Sequence, residues 1–390
     1  MPVNNAIAAN AAEFTEWRHD LHAHPELGFE EHRTSDIVAK KLESWGIQVT
    51  RGIAGTGLVG TLKVGNSSRA IGIRADMDAL PMTEANAFEH KSQNPGRMHA
   101  CGHDGHTTIL LAAAKHLAET KNFDGTVNFI FQPAEEGGGG GRVMVEEGLF
   151  DRFPCDMVFA LHNDTQIPVG RLMVAPGPRS AASDRIEIHI SGKGGHAARP
   201  YQTIDPLLVG CQIVIALQSL VSRRTDPLDS AVVSITQFHA GSAGNVIPEG
   251  AWLHGTVRTL KPETRDMIEH EMARIVEMTA AAHGATARLD YQRGYPQVIN
   301  NEDATNRAAE AAAKIVGADN LIRSAVPRMG GEDFAYMAQK VPGCFVRVGQ
   351  ARPGVENVPV HNPRYDFNDE ILPIGASLWA ALAEQELPRG

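Results

Sequence analysis

The chain has 390 residues, 43% of them hydrophobic and 21% charged, with a formal net charge of -10 at pH 7. That length exceeds one ordinary core and points to two domains, while the composition is globular rather than disordered. The charge argues against a nucleic-acid or anionic-membrane partner, because phosphate binding needs a basic face.

Glu13 to Trp45 reads as helical, with Phe14, Trp17 and Leu21, a turn at Pro25–Gly28, then Ile37, Val38 and Leu42 at helical spacing. Short apolar runs that read as buried strands come next. Ala70–Ile73 leads into Arg74, Asp76 and Asp78, Val127–Phe131 into Glu135 and Glu136, and Met157–Leu161 into His162. An apolar helix, Thr107 to Leu117, lies between the first two. This is an α/β pattern, and its ligand-capable residues are expected at the carboxyl ends of strands, where open α/β sheets place their sites.

From Asp184 the pattern changes to period-two alternation, Ile186, Ile188 and Ile190 with polar residues between. A helix at Asp205–Ser222, strands at Ala231–His239 and Ala251–Thr259, a helix at Pro262–His283 and a strand at Thr286–Gln292 complete a β-α-β-β-α-β order, the ferredoxin-like arrangement. The expected organisation is a discontinuous catalytic domain, 1–183 and 298–390, with an inserted domain at 184–297. The chain then returns through a helix at Asp303–Val316, a strand near Cys344–Val348 and a helix at Ile374–Glu384. Four widely spaced cysteines, Cys101, Cys155, Cys211 and Cys344, do not suggest a disulfide framework. Met1–Ala12 lacks the basic-then-apolar pattern of a signal peptide, and no run of about eighteen apolar residues is visible, so a cytoplasmic setting without a membrane segment is expected.

The densest chemical feature is His99-Ala100-Cys101-Gly102-His103-Asp104-Gly105-His106. The helix that follows needs only one cap there, so packing alone does not account for a thiol and three imidazoles. A thiolate and an imidazole two residues apart suit zinc or a similar divalent ion. A nucleophilic Cys101 with a histidine base is the competing chemistry, and a core thiol in a polar loop the structural one. Glu135 and Glu136 are adjacent carboxylates whose side chains point in different directions, so one can bind metal while the other moves a proton. The glycine run Gly137–Gly141 is not followed by Gly-Lys-Ser/Thr, which leaves a phosphate loop unsupported. His162 and His361, each a structural histidine when taken alone, complete a ligand set beside these clusters.

Arg74–Pro81, His99–His106, Phe131–Gly137, Leu161–Asn163 and Gly192–Ala197 together resemble the aminoacylase and carboxypeptidase-like family of co-catalytic metallohydrolases, within it the branch of hippurate hydrolases and indoleacetyl-amino-acid hydrolases. The resemblance covers nearly the whole chain and implies a zinc-exopeptidase-like α/β/α catalytic domain whose insert serves as lid and dimerisation surface. Where many relatives outside the branch carry His-x-Asp, this chain has Asp76-Met77-Asp78, so the metal is expected on Cys101 and His103 instead. By resemblance Cys101 bridges two divalent ions, with Glu136 and His361 on one and His103 and His162 on the other. Glu135 is then the general base, acting on a water held between ions roughly 3.5–4 Å apart, and Asp78 orients ligands. His196 resembles the family histidine that stabilises the oxyanion, its own subunit's or the partner's. Asn245 and Arg258 resemble positions that bind a substrate carboxylate, and Gly330–Phe334 matches the branch without an assigned role.

The implied activity is hydrolysis of N-acyl amino acids, hippurate-like ones first, by a homodimer or higher oligomer. Zinc is the first choice of metal, with manganese, nickel or cobalt as alternatives. A dipeptidase or carboxypeptidase on small peptides or folate-like amides is the alternative enzyme, and a silent binding protein of the same fold is the alternative outside catalysis.

Overall fold

The computed structural model describes residues 3–389, so Met1, Pro2 and Gly390, which belong to the expected domain and N-terminal ranges, lie outside the described residues. Contacts divide the chain into two compact units. One takes the chain through Arg179, Ile299–Val326 and the chain from Asp333 onward; the other takes Ser180–Val298 and Pro327–Glu332. Pro327–Glu332 joins the second unit through a parallel bridge between Ser180 and Arg328 and a hydrogen bond from Ala181 N to Gly330 O at 3.0 Å.

After a short helix at Asn5–Ala9, the first unit has α1 (Ala11–Ala23) and α2 (His32–Ser44), separated by the expected Pro25–Gly28 turn. Then come β1 (Gln48–Ile53), β2 (Gly57–Val64), β3 (Ala70–Asp76), α3 (His103–Thr120), β4 (Gly125–Gln132), α4 (Gly140–Glu146), β5 (Met157–Pro168) and β6 (Leu172–Met173). The second unit contributes β7 (Ala182–Ser191), β8 (Gly195–His196), α5 (Pro206–Ser219), β9 (Ala231–Ala240), β10 (Val246–Ile247), β11 (Gly250–Thr259), α6 (Pro262–Ala282) and β12 (Thr286–Tyr295). Back in the first unit lie α7 (Glu302–Val316), β13 (Leu321–Ile322), β14 (Gly343–Ala351) and α8 (Leu372–Glu386).

The first unit is organised on an eight-stranded sheet of order β1-β2-β4-β3-β5-β14-β6-β13. Its centre is parallel: β3 pairs in parallel with β4 and β5, and β5 with β14. Every residue of β3 is buried, as strands covered on both faces require. The hairpin β1–β2 joins antiparallel to β4 and has no counterpart among the sequence-based strands. One expectation about β5 needs correction. His162 does not end the strand, which runs on to Pro168 because β14 continues to pair beside it through Asp164–Gly349. His162 therefore projects from within a sheet strand, a stiffer mount than a loop.

In the second unit the order is β9-β11-β7-β12, with every neighbouring pair antiparallel. With α5 and α6 between the strands, this is the ferredoxin-like arrangement. The expectation of no long apolar segment is also corrected: Pro206–Arg224 is long and apolar enough by length and composition to cross a membrane, although only about a third of it is buried. Val209, Gly210, Ile213, Leu217 and Leu220 form its buried stripe, a helical spacing that seats one face on the unit's own core.

Candidate metal centre

Cys101, His103 and His162 place their ligand atoms within 4.8 Å of one another, as do Cys101, Glu136 and His361, and His103, Glu135 and Glu136. The overlap of these sets brings together all six residues that the sequence singled out for metal and base. Close approach depends on small residues. Gly102, the left-handed residue before α3, has φ 96°, and a Cβ there would lie 2.5 Å from Asn163 Oδ1 and 2.9 Å from Tyr365 Oη. At Gly105 a Cβ would overlap the ring of Phe367. The helix bearing His103 can therefore sit against these groups only with glycine at both positions.

Hydrogen bonds fix how the histidines present themselves. His103 Nδ1 lies 2.9 Å from Asp78 O and 3.2 Å from Asp78 Oδ1, and His162 Nδ1 lies 2.7 Å from Asn163 O. A carbonyl oxygen only accepts, so each Nδ1 carries a proton and Nε2 is the nitrogen left for a metal. His162 Nε2 faces Cys101 Sγ at 3.3 Å, and His103 Nε2 is buried without a hydrogen-bond partner. Asp78 serves both sides, since its Oδ2 accepts from Glu136 N at 2.9 Å. Glu136 Oε1 in turn meets His361 Nε2 at 3.2 Å. His361 stands in the left-handed region, φ 63°, with its N–H donating to Ala100 O at 2.7 Å.

The electrostatics fit a cationic occupant. Burial pushes the Cys101 thiol well up, and Glu136 adds to the effect, so the thiolate needs positive charge beside it. Burial lowers His103, but Asp76 and Asp78 outweigh it and raise the imidazole well above its ordinary value. The surroundings thus favour positive charge at this point. His162 is driven well down by burial and by His106 and Arg347, which keeps it neutral and able to ligate. Sulfur, imidazole and carboxylate donors in this mixture suit a divalent transition metal.

Beneath the cluster runs a polar network that sequence reasoning missed. Arg74, in the middle of apolar β3, donates to Gln132 Oε1 at 2.8 Å, Asp76 Oδ2 at 2.7 Å and Asp333 Oδ1 at 3.0 Å. Asp76 Oδ1 meets His106 Nδ1 at 2.6 Å, and His106 Nε2 meets Asn163 Oδ1 at 2.8 Å. Both nitrogens of His106 are therefore occupied, and this histidine braces the neighbours of His103 and His162 rather than facing the cluster. Asp333, from the segment without an assigned role, accepts from Gln132 Nε2 at 2.7 Å and Gly141 N at 2.8 Å. Its own N–H reaches Glu135 Oε1 at 3.4 Å. One signal was available: a lone arginine inside a buried strand demands carboxylate partners.

In the second unit, β8 and β10 pair so that Val246 stands opposite His196, and Ala197 N donates to Asn245 O at 3.0 Å. His196 and Asn245 are thereby neighbours, both exposed. His196 Nδ1 accepts from Ala198 N at 3.1 Å, which leaves Nε2 as the protonated, donating nitrogen. Arg258 is not bonded to either; it sits on β11, half-buried, and donates to Thr256 Oγ1 and to Val257 O at 3.0 Å. Among the described residues no carboxylate lies in ion-pair range of it.

The chain is similar to known proteins along nearly its whole length. The chain is 42% identical over 374 residues to hippurate hydrolase of Campylobacter jejuni, covering 95% of this chain and 96% of that protein. It is 39% identical over 397 residues to IAA-amino acid hydrolase ILR1-like 4 of Arabidopsis thaliana, covering 99% and 89%. Among solved structures it resembles the Bacillus subtilis YXEP protein, described as a dinuclear metal binding peptidase from the M20 family, with a TM-score of 0.84, 37% identity and coverage of 96% and 98%. The model of peptidase family M20/M25/M40 matches residues 72–385. The chain therefore belongs to peptidase family M20/M25/M40 and is a hydrolase built on its dinuclear metal-binding fold.

Proposed function

We propose that this hydrolase cleaves the amide bond of N-acyl amino acids, hippurate-like ones first, releasing a carboxylic acid and a free amino acid. The observation that carries the proposal is the convergence on Cys101 of two ligand sets, His103 and His162 on one side and Glu136 and His361 on the other, with buried Glu135 beside them. Zinc is the metal proposed, because thiolate and imidazole donors suit it, with manganese, nickel and cobalt the alternatives that metal analysis distinguishes.

When bound, two divalent ions supply Lewis-acid activation of the amide carbonyl and of water. Glu135 takes the proton of the attacking water and passes it to the leaving nitrogen. Asp78 holds His103 and the backbone of Glu136 in place. His196 donates from Nε2 to the developing oxyanion. Arg258, a half-buried guanidinium without a carboxylate partner among the described residues, takes the substrate's carboxylate together with Asn245. The chain is further proposed to work in the cytoplasm as a homodimer, through the second unit: β9 is an open sheet edge, and Leu207, Leu208 and Ile215 are exposed on α5.

The test is amino-acid release from a panel of N-acyl amino acids and dipeptides. Turnover of N-benzoylglycine and related acyl amino acids at rates well above those of dipeptides is expected. Preference for dipeptides across the panel would assign the protein to peptide hydrolysis instead.

A further inference from the structure

Glu135 and Glu136 are adjacent in sequence, yet both carboxylates reach the cluster beside His103, so the chain must turn to present both there. The turn is made at Ala134, which stands in the left-handed region at φ 52°, a conformation that a Cβ-bearing residue adopts only under constraint. The constraint comes from a distant part of the chain. Glu31 is fully buried; its Oε1 accepts from Ala134 N at 2.8 Å and its Oε2 from Thr56 Oγ1 at 2.5 Å. Glu31 stands at the N-cap position of α2 yet makes no side-chain cap bond there. Glu26 satisfies that helix end instead, accepting from Arg33 N at 2.9 Å and Thr34 N at 2.8 Å. The burial of Glu31 is thus not explained by helix capping.

Packing follows the same arrangement. A Cβ at Gly28 would lie 2.9 Å from Ala134 Cβ, and one at Gly138 would lie 2.7 Å from it, so the turn is enclosed by two glycines. On the far side, Asp78 Oδ2 accepts from Glu136 N. The backbone is held by one carboxylate immediately before Glu135 and by another immediately after it.

We propose that Glu31 is the positioning residue for the general base: its carboxyl group pins Ala134 in the left-handed turn and so fixes the backbone from which Glu135 reaches the cluster beside the ligand Glu136. This rests on the amidohydrolase reading, in which Glu135 is the base. Burial pushes Glu31 up to about 7 against the Thr56 hydrogen bond. Either protonation state keeps an oxygen for Ala134, with the acid's O–H turned to Thr56, so a neutral amide can do the same work.

The experiment compares Glu31→Gln, Glu31→Ala and Thr56→Val in the full chain. It reads amide hydrogen exchange over Gln132–Gly138 in the metal-free protein, and metal content, kcat and KM in the loaded protein. In Glu31→Ala, exchange at Ala134 is expected to rise and kcat to fall on the order of 100-fold, since misplacing a catalytic group by about 1 Å costs that much, with KM and bound metal little changed. Glu31→Gln is expected to match wild type in all readouts. Thr56→Val, which leaves one Glu31 oxygen without its donor, is expected to lose about threefold to tenfold, the worth of one hydrogen bond. Unchanged exchange and kcat in Glu31→Ala would overturn the proposal, as would Glu31→Gln being as damaged as Glu31→Ala. Should Glu31→Ala fail to fold, unchanged exchange and kcat in Thr56→Val would overturn it. The exchange readout stands apart from the chemistry: if Glu135 is not the base, Glu135→Gln keeps its turnover whatever Ala134 does.

Discussion

At the residue scale, each ligand owes its usefulness to what holds its other end. His103 and His162 each spend Nδ1 on an oxygen, so that Nε2 is the atom left for the metal. Asp78 is the most economical of these supports, because its two oxygens serve His103 and Glu136, one from each half of the proposed ligand set. Asp78→Ala is therefore expected to weaken metal binding about 10- to 100-fold, the usual effect of losing such a partner. Metal retention during dialysis against graded chelator measures this, and unchanged affinity would show that Asp78 is dispensable for the ligands. Cys101 and Glu135 both lie in the cluster of ligand-type residues. Glu31 carried no signal in the sequence, because a single acidic residue at a helix start looks like surface, and Asp333 stood in a matched segment whose role the sequence left unassigned. Their significance arises only from hydrogen bonds to Ala134 and Glu135 that span 103 and 198 residues of sequence.

At the scale of elements, α3 links the cluster to the rest of the first unit. Its first turn carries Asp104 beside His103, and Asp104 Oδ2 bonds His22 Nδ1 of α1 at 2.8 Å. His22 is fully buried, and its Nε2 lies 3.2 Å from Glu84 Oε1. Burial alone would lower His22, but Asp104 and Glu84 outweigh it and raise the imidazole to about 9. A group raised on folding contributes its full stability below its unfolded value, near 6.5, and loses it as pH rises through 9. The full difference corresponds to about 3 kcal/mol. Metal-free protein is accordingly expected to melt at progressively lower temperature from pH 6.5 to 9.5, and His22→Gln to flatten that slope. Equal slopes in the two proteins would contradict the assignment. Metal-free protein is specified because metal release is itself proton-linked.

The legibility of elements followed their periodicity. β3, β4, α3 and the β-α-β-β-α-β unit were readable because burial on both faces, or on one, leaves a clear run or alternation. In the β1–β2 hairpin, Gln48–Ile53 escaped because only Ile53 is buried, whereas Gly57–Val64 is mostly buried but interrupted by Gly60 and Thr61. The end of β5 was misplaced because pairing to β14, a non-local fact, carries the strand past the polar residues Asn163 and Asp164. The apolar stretch at Pro206–Arg224 was passed over because its polar residues Gln212, Gln218 and Ser219 interrupt the run without making the helix polar.

At the scale of the whole molecule, sequence order and chemical grouping diverge. Residues 78, 101–103, 135–136, 162 and 361 meet in one unit across more than half the chain, while His196, Asn245 and Arg258 belong to the other. Only a fold formed from distant segments assembles such a set, which is why the motifs were legible and their mutual distances were not. The central claim is that a paired-metal centre with Glu135 as base drives amide hydrolysis. Its most direct test is amino-acid release from N-benzoylglycine by wild type and Glu135→Gln, with bound metal counted on the same samples before and after chelation. The account predicts that wild-type activity vanishes on stripping and returns as two ions per chain are restored. Glu135→Gln should keep its metal yet lose about 100- to 10,000-fold in kcat, the range of general-base catalysis. Full turnover by stripped protein, or near-wild-type kcat in metal-loaded Glu135→Gln, would contradict it.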